Sequence, residues 1–301
     1  MHPTIVLSPA SADYPPSLRE LGSPDRPPPT LRLRGVLPRS PGIAVVGRRE
    51  ATEPARSFTR ALVLDLAAAG YTIWSGGALG IDASAHEAAL EAGAPTVVVT
   101  GGGLDRPYPP EHIPLFDRVL AHGGALLSHL SDTAPPIAPN FIARNRILAA
   151  VTVATIVVEA GSKSGARSTA AAARKLGRPL FVVPHAPWSE TGAGCAAELA
   201  RGARAITCAG DVFEAFGKKP PPARKAPRPR DRACAPAPVQ LSLDPLEQAI
   251  LRVLGNRPVH LDVICETVGR PLPAVVGALL TLTLQAVVVE GPAGSFRRGQ
   301  R

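Results

Sequence analysis

Four short stretches of this chain are rich in glycine, and each follows a run of β-branched residues. They read GRREAT (47–52), SGGALGID (75–82), GGG (101–103) and EAGSKSGARSTA (159–170). Glycine lets a backbone approach a ligand closely and adopt positive φ. Two of the four stretches open straight into helical patterns, whose first turns present free N–H groups and a positive dipole end. A row of such loops is an anion site, and phosphate is the anion that suits it. The expected contributors are Gly47, Arg48 and Arg49 from the first loop and Ser75, Gly76, Gly77, Gly80 and Asp82 from the second. Gly102 comes from the third, and Lys163, Ser164, Gly165 and Thr169 come from the fourth.

A fifth stretch, NFIARNRIL (140–148), places one aromatic and two arginines within six residues of a chain that is only 4% aromatic. Phe141 and Arg144 are three apart and share a face if this stretch is helical. Arg146, two residues further on beyond Asn145, points elsewhere. A basic groove with an aromatic platform is how single-stranded nucleic acid is held, at roughly 1–3 kcal/mol per stacked base. Arg48, Arg49, Arg144, Arg146, Lys163 and Arg167 are the cations available to such a groove. Structural roles compete for the same residues. Phe141 suits a core, Arg146 suits a tie to a buried carboxylate, and Ser164 suits a helix cap. Asp82 suits an N-cap with His86 one turn away.

Other phosphate chemistries lack their markers. A dinucleotide fold needs G-x-G-x-x-G after the first strand and an acid ending the second. Here the first loop is GRREAT and the second strand ends WSGG. SKSGARST has no G-K-[ST] of a Walker loop. There is no nucleophile–base pair and no paired-carboxylate spacing. Cys195, Cys208, Cys234 and Cys265 form no C-x-x-C, so neither a metal nor a cofactor is expected.

The elements that position these loops are legible as alternation. Near-continuous Val/Ile runs at 43–46, 71–75, 96–100, 125–128, 154–159, 180–184 and 205–207 predict strands buried on both faces. Helical patterns fill 53–69, 82–92, 140–150, 165–177 and 193–202. That is an α/β fold, an extended Rossmann-like doubly wound parallel sheet, with ligands at the carboxyl ends of its strands. Residues 1–40 read as a Pro-rich extension over the surface of a domain at 41–216. Residues 217–243, GKKPPPARKAPRPRDRACAPAPVQLSL, read as a basic Pro-rich linker. Residues 244–301 read as a small C-terminal winged-helix domain of three helices and a hairpin. Its third helix, LPAVVGALLTLTLQ, carries no cation, which favours contact with protein over duplex DNA.

The formal charge is +9, yet residues 41–216 hold 15 basic and 15 acidic side chains. Any anion site there must work by local clustering. The longest apolar run, Leu148 to Val158, has 11 residues, short of the roughly 18 that span a bilayer. MHPTIVLSPA has no basic region, so no signal peptide, no membrane partner and a cytoplasmic location are expected.

Taken together, VVGRREAT, SGGALGIDASAHEAAL, GGGLDRPYP, FIARNRIL, VVEAGSKSG with Thr169, and RPLFVVP resemble the DNA-processing protein A (DprA, or Smf) family. The resemblance covers most of the chain and implies a non-enzymatic protein. Such a protein binds single-stranded DNA, forms a homodimer, and helps load the recombinase RecA on DNA entering by natural transformation. It aligns Arg49, Gly76, Gly80, Asp82, Phe141, Arg144, Asn145, Arg146, Lys163, Ser164, Gly165 and Thr169 with family motif positions. Departures are Arg48 for a small residue, His129 after the fourth strand, His185 for a glycine, and the absence of an asparagine at 192–199. Two rivals stand beside this reading. One is a nucleotide-monophosphate hydrolase of the lysine-decarboxylase-like type, whose P-G-G-x-G-T-x-x-E string is missing here. The other is a nucleotide-sensing DNA-binding regulator.

Overall fold

A computed structural model describes residues 3–23, 27–218, 244–255, 258–284, 287–291 and 294–298. The large unit is built in chain order from β1 (Ile5–Leu7), β2 (Leu31–Gly35), β3 (Gly42–Val46), α1 (Glu53–Ala68), β4 (Thr72–Ser75), α2 (Ile81–Glu91), β5 (Thr96–Val99), α3 (Ile113–Ala121) and β6 (Ala125–Ser128). It continues through α4 (Ala138–Val151), β7 (Ala154–Val157), α5 (Ala166–Lys175), β8 (Leu180–Val182), α6 (Ala193–Leu199), β9 (Arg204–Ala205) and α7 (Ala209–Ala215).

The nine strands form one sheet in the order β1-β2-β6-β5-β4-β3-β7-β8-β9. From β6 to β9 every pairing is parallel. Strands β3 to β7 are buried residue by residue, because helices cover both faces. One face packs Ala44, Val46, Val97, Val99 and Leu127 against Ile147 and Leu148 of α4. The other packs Ile43, Val45, Ile73 and Ile156 against Leu62, Val63 and Leu66 of α1. The sheet reverses its direction of growth beside β3, so the loops after β3, β4 and β7 meet at one edge.

Residues 1–40 do more than wrap the surface. β2 pairs antiparallel with β6, and β1 pairs antiparallel with β2. Leu31 and Leu33 are buried while Arg32 and Arg34, which alternate with them, are half-buried, the alternation of a strand with one wet face. Tyr14 and Leu18 are core residues. The helices α3 and α7 were not expected. Both are short, and α3 begins IPLF behind a run of prolines.

One buried histidine gives the large unit a pH dependence. His86 on α2 is fully buried, with Nδ1 2.8 Å from the Thr96 hydroxyl. That hydroxyl already donates to the Ile73 carbonyl, so His86 Nδ1–H donates and Nε2 is the bare lone pair. Nε2 has no partner. Burial pushes the imidazole down to about 3. An unfolded chain takes up this proton near pH 6.5 and the folded chain does not. Stability from this group is therefore complete above about pH 6.5 and falls by at most about 1.4 kcal/mol per pH unit below it, down to pH ~3. Urea unfolding across this range should show the slope, and His86→Gln should flatten it.

The smaller unit has a hydrophobic core of its own. α8 (Pro245–Val253) starts at an Asp244 N-cap whose partner Glu247 completes a capping box. α9 (Leu261–Val268) ends at Gly269, and α10 (Leu272–Leu284) follows. β10 (Val259–His260), β11 (Val288–Gly291) and β12 (Ser295–Arg298) make an antiparallel sheet in the order β10-β12-β11. This is the expected three helices and hairpin, with β10 as an added edge. Ile250, Ile264, Val275, Leu279 and Leu282 form its core. Of the basic segment 217–243, residues 219–243 lie outside the described residues.

Candidate nucleic-acid interface

The loops after β3, β4 and β7 enclose a cavity of about 700 Å³. Eleven of the residues expected at the site line it: Gly47, Arg48, Arg49, Gly76, Asp82, Arg144, Asn145, Lys163, Ser164, Gly165 and Thr169. The approach of the β3 and β4 loops rests on Gly80. It stands at φ +78°, and a Cβ there would fall 2.3 Å from the carbonyl oxygens of both Arg48 and Arg49. The Ile81 amide donates to the Arg48 carbonyl at 3.2 Å, which locks the two loops together.

Asp82 does not cap α2. Gly80 is the N-cap, and the buried Asp82 carboxylate accepts the Gly76 amide at 3.1 Å and the Ala78 amide at 3.3 Å. It thus closes the loop leading into α2. Burial raises its pKa, opposed first by the charge of Arg144 and then by the Ala78 amide. Arg144 is itself only 5% exposed, and its Nη1 donates to the Val99 carbonyl at 2.5 Å. Burial lowers the guanidinium to about 10, against the favourable charge of Asp82. It stays cationic at neutral pH.

Phe141 is half-buried beside this cavity. Its ring borders a smaller hollow with Leu79, Tyr108 and Pro109. The Arg144 guanidinium carbon lies 5.7 Å from the ring centroid and that of Arg49 lies 5.9 Å. Tyr108 meets the ring edge-on at 5.8 Å. The expected shared face of Phe141 and Arg144 is present, with the arginine packed inside rather than offered to solvent. Tyr108 was missed as a site residue, although GGGLDRPYP contains it. Spacing alone cannot show that residue 108 folds back over residue 141.

The expected rim of six cations divides. Arg48, Arg49, Arg144 and Lys163 line the cavity. Arg167 instead donates through Nε to Glu198 at 3.0 Å, where Arg174 and Arg201 also converge, and through Nη1 to the Ser162 carbonyl. It shapes the β7–α5 loop from behind. Arg146 is exposed and borders a separate hollow with Leu21, Pro29, His129 and Ile147. Among the described residues, no tie to a buried carboxylate holds it. Arg48 reaches Glu50 at 3.2 Å. Among the described residues, Arg49 and Lys163 are in no ion pair.

The remaining expected residues support the loops. Ser75 donates to the Val45 carbonyl at 2.6 Å. Gly77 abuts Val98 and Phe116, and Gly102 sits under Ala134 and Pro136. The Ser164 hydroxyl accepts the Ala166 amide at 3.3 Å, so it does act at the start of α5. Asn145 bridges to the Ser168 hydroxyl and the Gly165 carbonyl, tying α4 to α5. His185, which departs from the family's glycine, packs its ring on Gly192 and approaches the Val158 carbonyl at 2.9 Å.

Comparison with known proteins agrees with this architecture. The family model for DNA recombination-mediator protein A matches residues 5–217, and one for the DprA winged helix domain matches residues 234–294. This chain belongs to the DNA recombination-mediator protein A family. A putative DNA processing protein DprA of Mycobacterium tuberculosis is 43% identical over 198 residues, 66% of this chain and 50% of that protein. The chain thus matches about half the length of that relative. Protein Smf of Escherichia coli is 34% identical over 300 residues, covering 98% and 78%. The X-ray structure of DprA from Streptococcus pneumoniae superposes with a TM-score of 0.64 at 33% identity, covering 71% and 74%. A solved structure of DNA processing protein A from Helicobacter pylori, described for its single-stranded DNA binding mode, gives 0.62 at 30% identity, covering 71% and 96%.

Proposed function

We propose that this chain is a single-stranded DNA-binding recombination mediator. It protects incoming DNA and loads RecA during natural transformation, acting as a homodimer and without a catalysed reaction. The observation that carries this reading is the pairing of Arg49 and Lys163, cations outside any ion pair among the described residues, across one cavity beside the half-buried Phe141 ring. Phosphates would lie on the loops at Gly47–Arg49, Gly76–Gly80 and Lys163–Gly165. A base would stack at Phe141. The single-stranded DNA binding mode described for the H. pylori relative supports the choice of ligand.

The hydrolase alternative is disfavoured by Glu159. Its carboxylate is fully buried, accepts the Thr52 amide at 2.9 Å, and is not among the residues lining the cavity. For the winged helix, α10 carries no cation and exposes Leu272, Val276 and Leu280 at four-residue spacing. That face suits protein contact better than duplex phosphate.

Fluorescence anisotropy on a labelled single-stranded oligonucleotide and its duplex, each at several salt concentrations, tests the reading. The chain should prefer the single strand. Arg49→Ala and Lys163→Ala should each weaken binding and flatten the dependence of log K on log salt by roughly 0.7 per lost phosphate contact. An unchanged slope in both variants would remove the cavity from the interface.

A further inference from the structure

The chain has two tryptophans. Trp74 is buried in β4, whereas Trp188 is 86% exposed. A side chain of that size and apolarity left in water favours a partner that covers it. Trp188 lies in the loop that follows β8, at the same carboxyl edge of the sheet as the phosphate loops. This loop is fastened to the site. Two residues on, Glu190 lines the cavity together with Lys163. The Gly194 amide just beyond donates to the Ala160 carbonyl at 2.7 Å, and the His185 ring fixes the loop's other end on Gly192.

The strand order places Trp188 relative to Phe141. Phe141 packs on Gly101, which follows β5. Successive strands from there are β4, β3, β7 and β8, each contributing its own loop to the edge. Four strand spacings separate the two aromatics, about 19 Å along the edge. Between them lie Gly76, Arg49 and Lys163. A polyanion crossing the loops in this order meets an aromatic at each end and cations in the middle, the arrangement of a single-strand track.

We infer that Trp188 is a second base-stacking platform, terminating the DNA track at β8 as Phe141 does at β5. This rests on the proposed single-stranded DNA function and extends its site by one element. The stacked base is read by its π-face, so the contact is tolerant of sequence. It belongs to DNA long enough to pass Lys163.

The full chain supplies the test, because Trp188 is its own reporter. Tryptophan emission is recorded while a single-stranded oligonucleotide is added, with Trp188→Phe as the blank for the buried Trp74. Affinities of Trp188→Ala and Trp188→Phe are measured beside Arg49→Ala and Lys163→Ala. The expected result is DNA-dependent quenching that Trp188→Phe abolishes. Affinity should fall by about tenfold in Trp188→Ala and recover largely in Trp188→Phe. A dinucleotide, too short to reach from the cations to the loop's far side, should bind the unaltered chain, Trp188→Ala and Trp188→Phe alike. Trp188 emission and affinity both indifferent to DNA, with Arg49→Ala and Lys163→Ala still impaired, would overturn the platform and leave the phosphate site standing. No binding by the unaltered chain would overturn both.

Discussion

Arg144→Met is expected to destabilise the large unit by about 1–3 kcal/mol, the cost of leaving a buried polar group without its hydrogen-bond partner. Two losses combine. The Val99 carbonyl loses the guanidinium that it accepts from. The Asp82 carboxylate loses the charge that opposes its desolvation. The second loss depends on pH. Asp82 has a raised folded pKa, so any stability linked to its protonation is present below the unfolded value and disappears as pH rises through the folded one. Without Arg144 the folded pKa rises further. The penalty should therefore be largest near neutrality and shrink toward pH 4. Adding Asp82→Asn should restore part of the stability, because an asparagine oxygen can still accept the Gly76 and Ala78 amides. Urea denaturation of the four-member cycle at two pH values measures both effects. Equal penalties at both pH values would mean that Asp82 is not the group exposed by the change. DNA affinity should fall as well, since Phe141 rests on the Arg144 guanidinium. Arg49→Ala should lower affinity with little change in stability, because Arg49 is exposed.

This contrast shows what the sequence could and could not convey. The strands β3 to β8 were legible because a strand buried on both faces must be apolar at nearly every position, as IAVV and VVV are. The glycine-rich loops were legible because their glycines stand where parallel strands end. β2 was harder. Its arginines alternate with leucines, and the pattern fits an antiparallel strand only once β6 is known to lie beside it. The roles of the arginines were hardest. Arg144, Arg146 and Arg167 are equally basic in sequence, yet one is packed inside, one faces a separate hollow, and one is bound to Glu198. A tethered arginine is recognised by its partners, and those of Arg144 and Arg167 lie 45 and 31 residues away in the chain. The same holds for Asp82. Its position suggested a helix cap, while the geometry uses it to close the preceding loop.

Gly76→Ala should impair folding and binding together, and Gly165→Ala binding alone. A Cβ at Gly76 would lie 1.9 Å from Arg144 Nη1 and 2.5 Å from its Cζ. Such an overlap is cheap only when the opposing group can swing away. Arg144 cannot, being buried and held by the Val99 carbonyl. Either the guanidinium leaves that carbonyl or the β4 loop shifts, at about 1–3 kcal/mol as for other overpacked sites. Phe141 and Arg49 then lose their common support, so single-stranded DNA affinity drops as a secondary effect. If the clash with Arg144 is the cause, Gly76→Ala should cost much less in an Arg144→Met background, a non-additivity that urea denaturation can resolve. Gly165 is a different kind of glycine. Its φ is −60°, open to any residue, and a Cβ there meets nothing within 4 Å. Nothing in the folded chain requires glycine at that position. It lines the cavity at the start of α5, where a phosphate would approach the backbone. Gly165→Ala should therefore leave the unfolding midpoint in place while weakening DNA binding. Full affinity in that variant would mean the phosphate path passes over Lys163 without touching the backbone behind it.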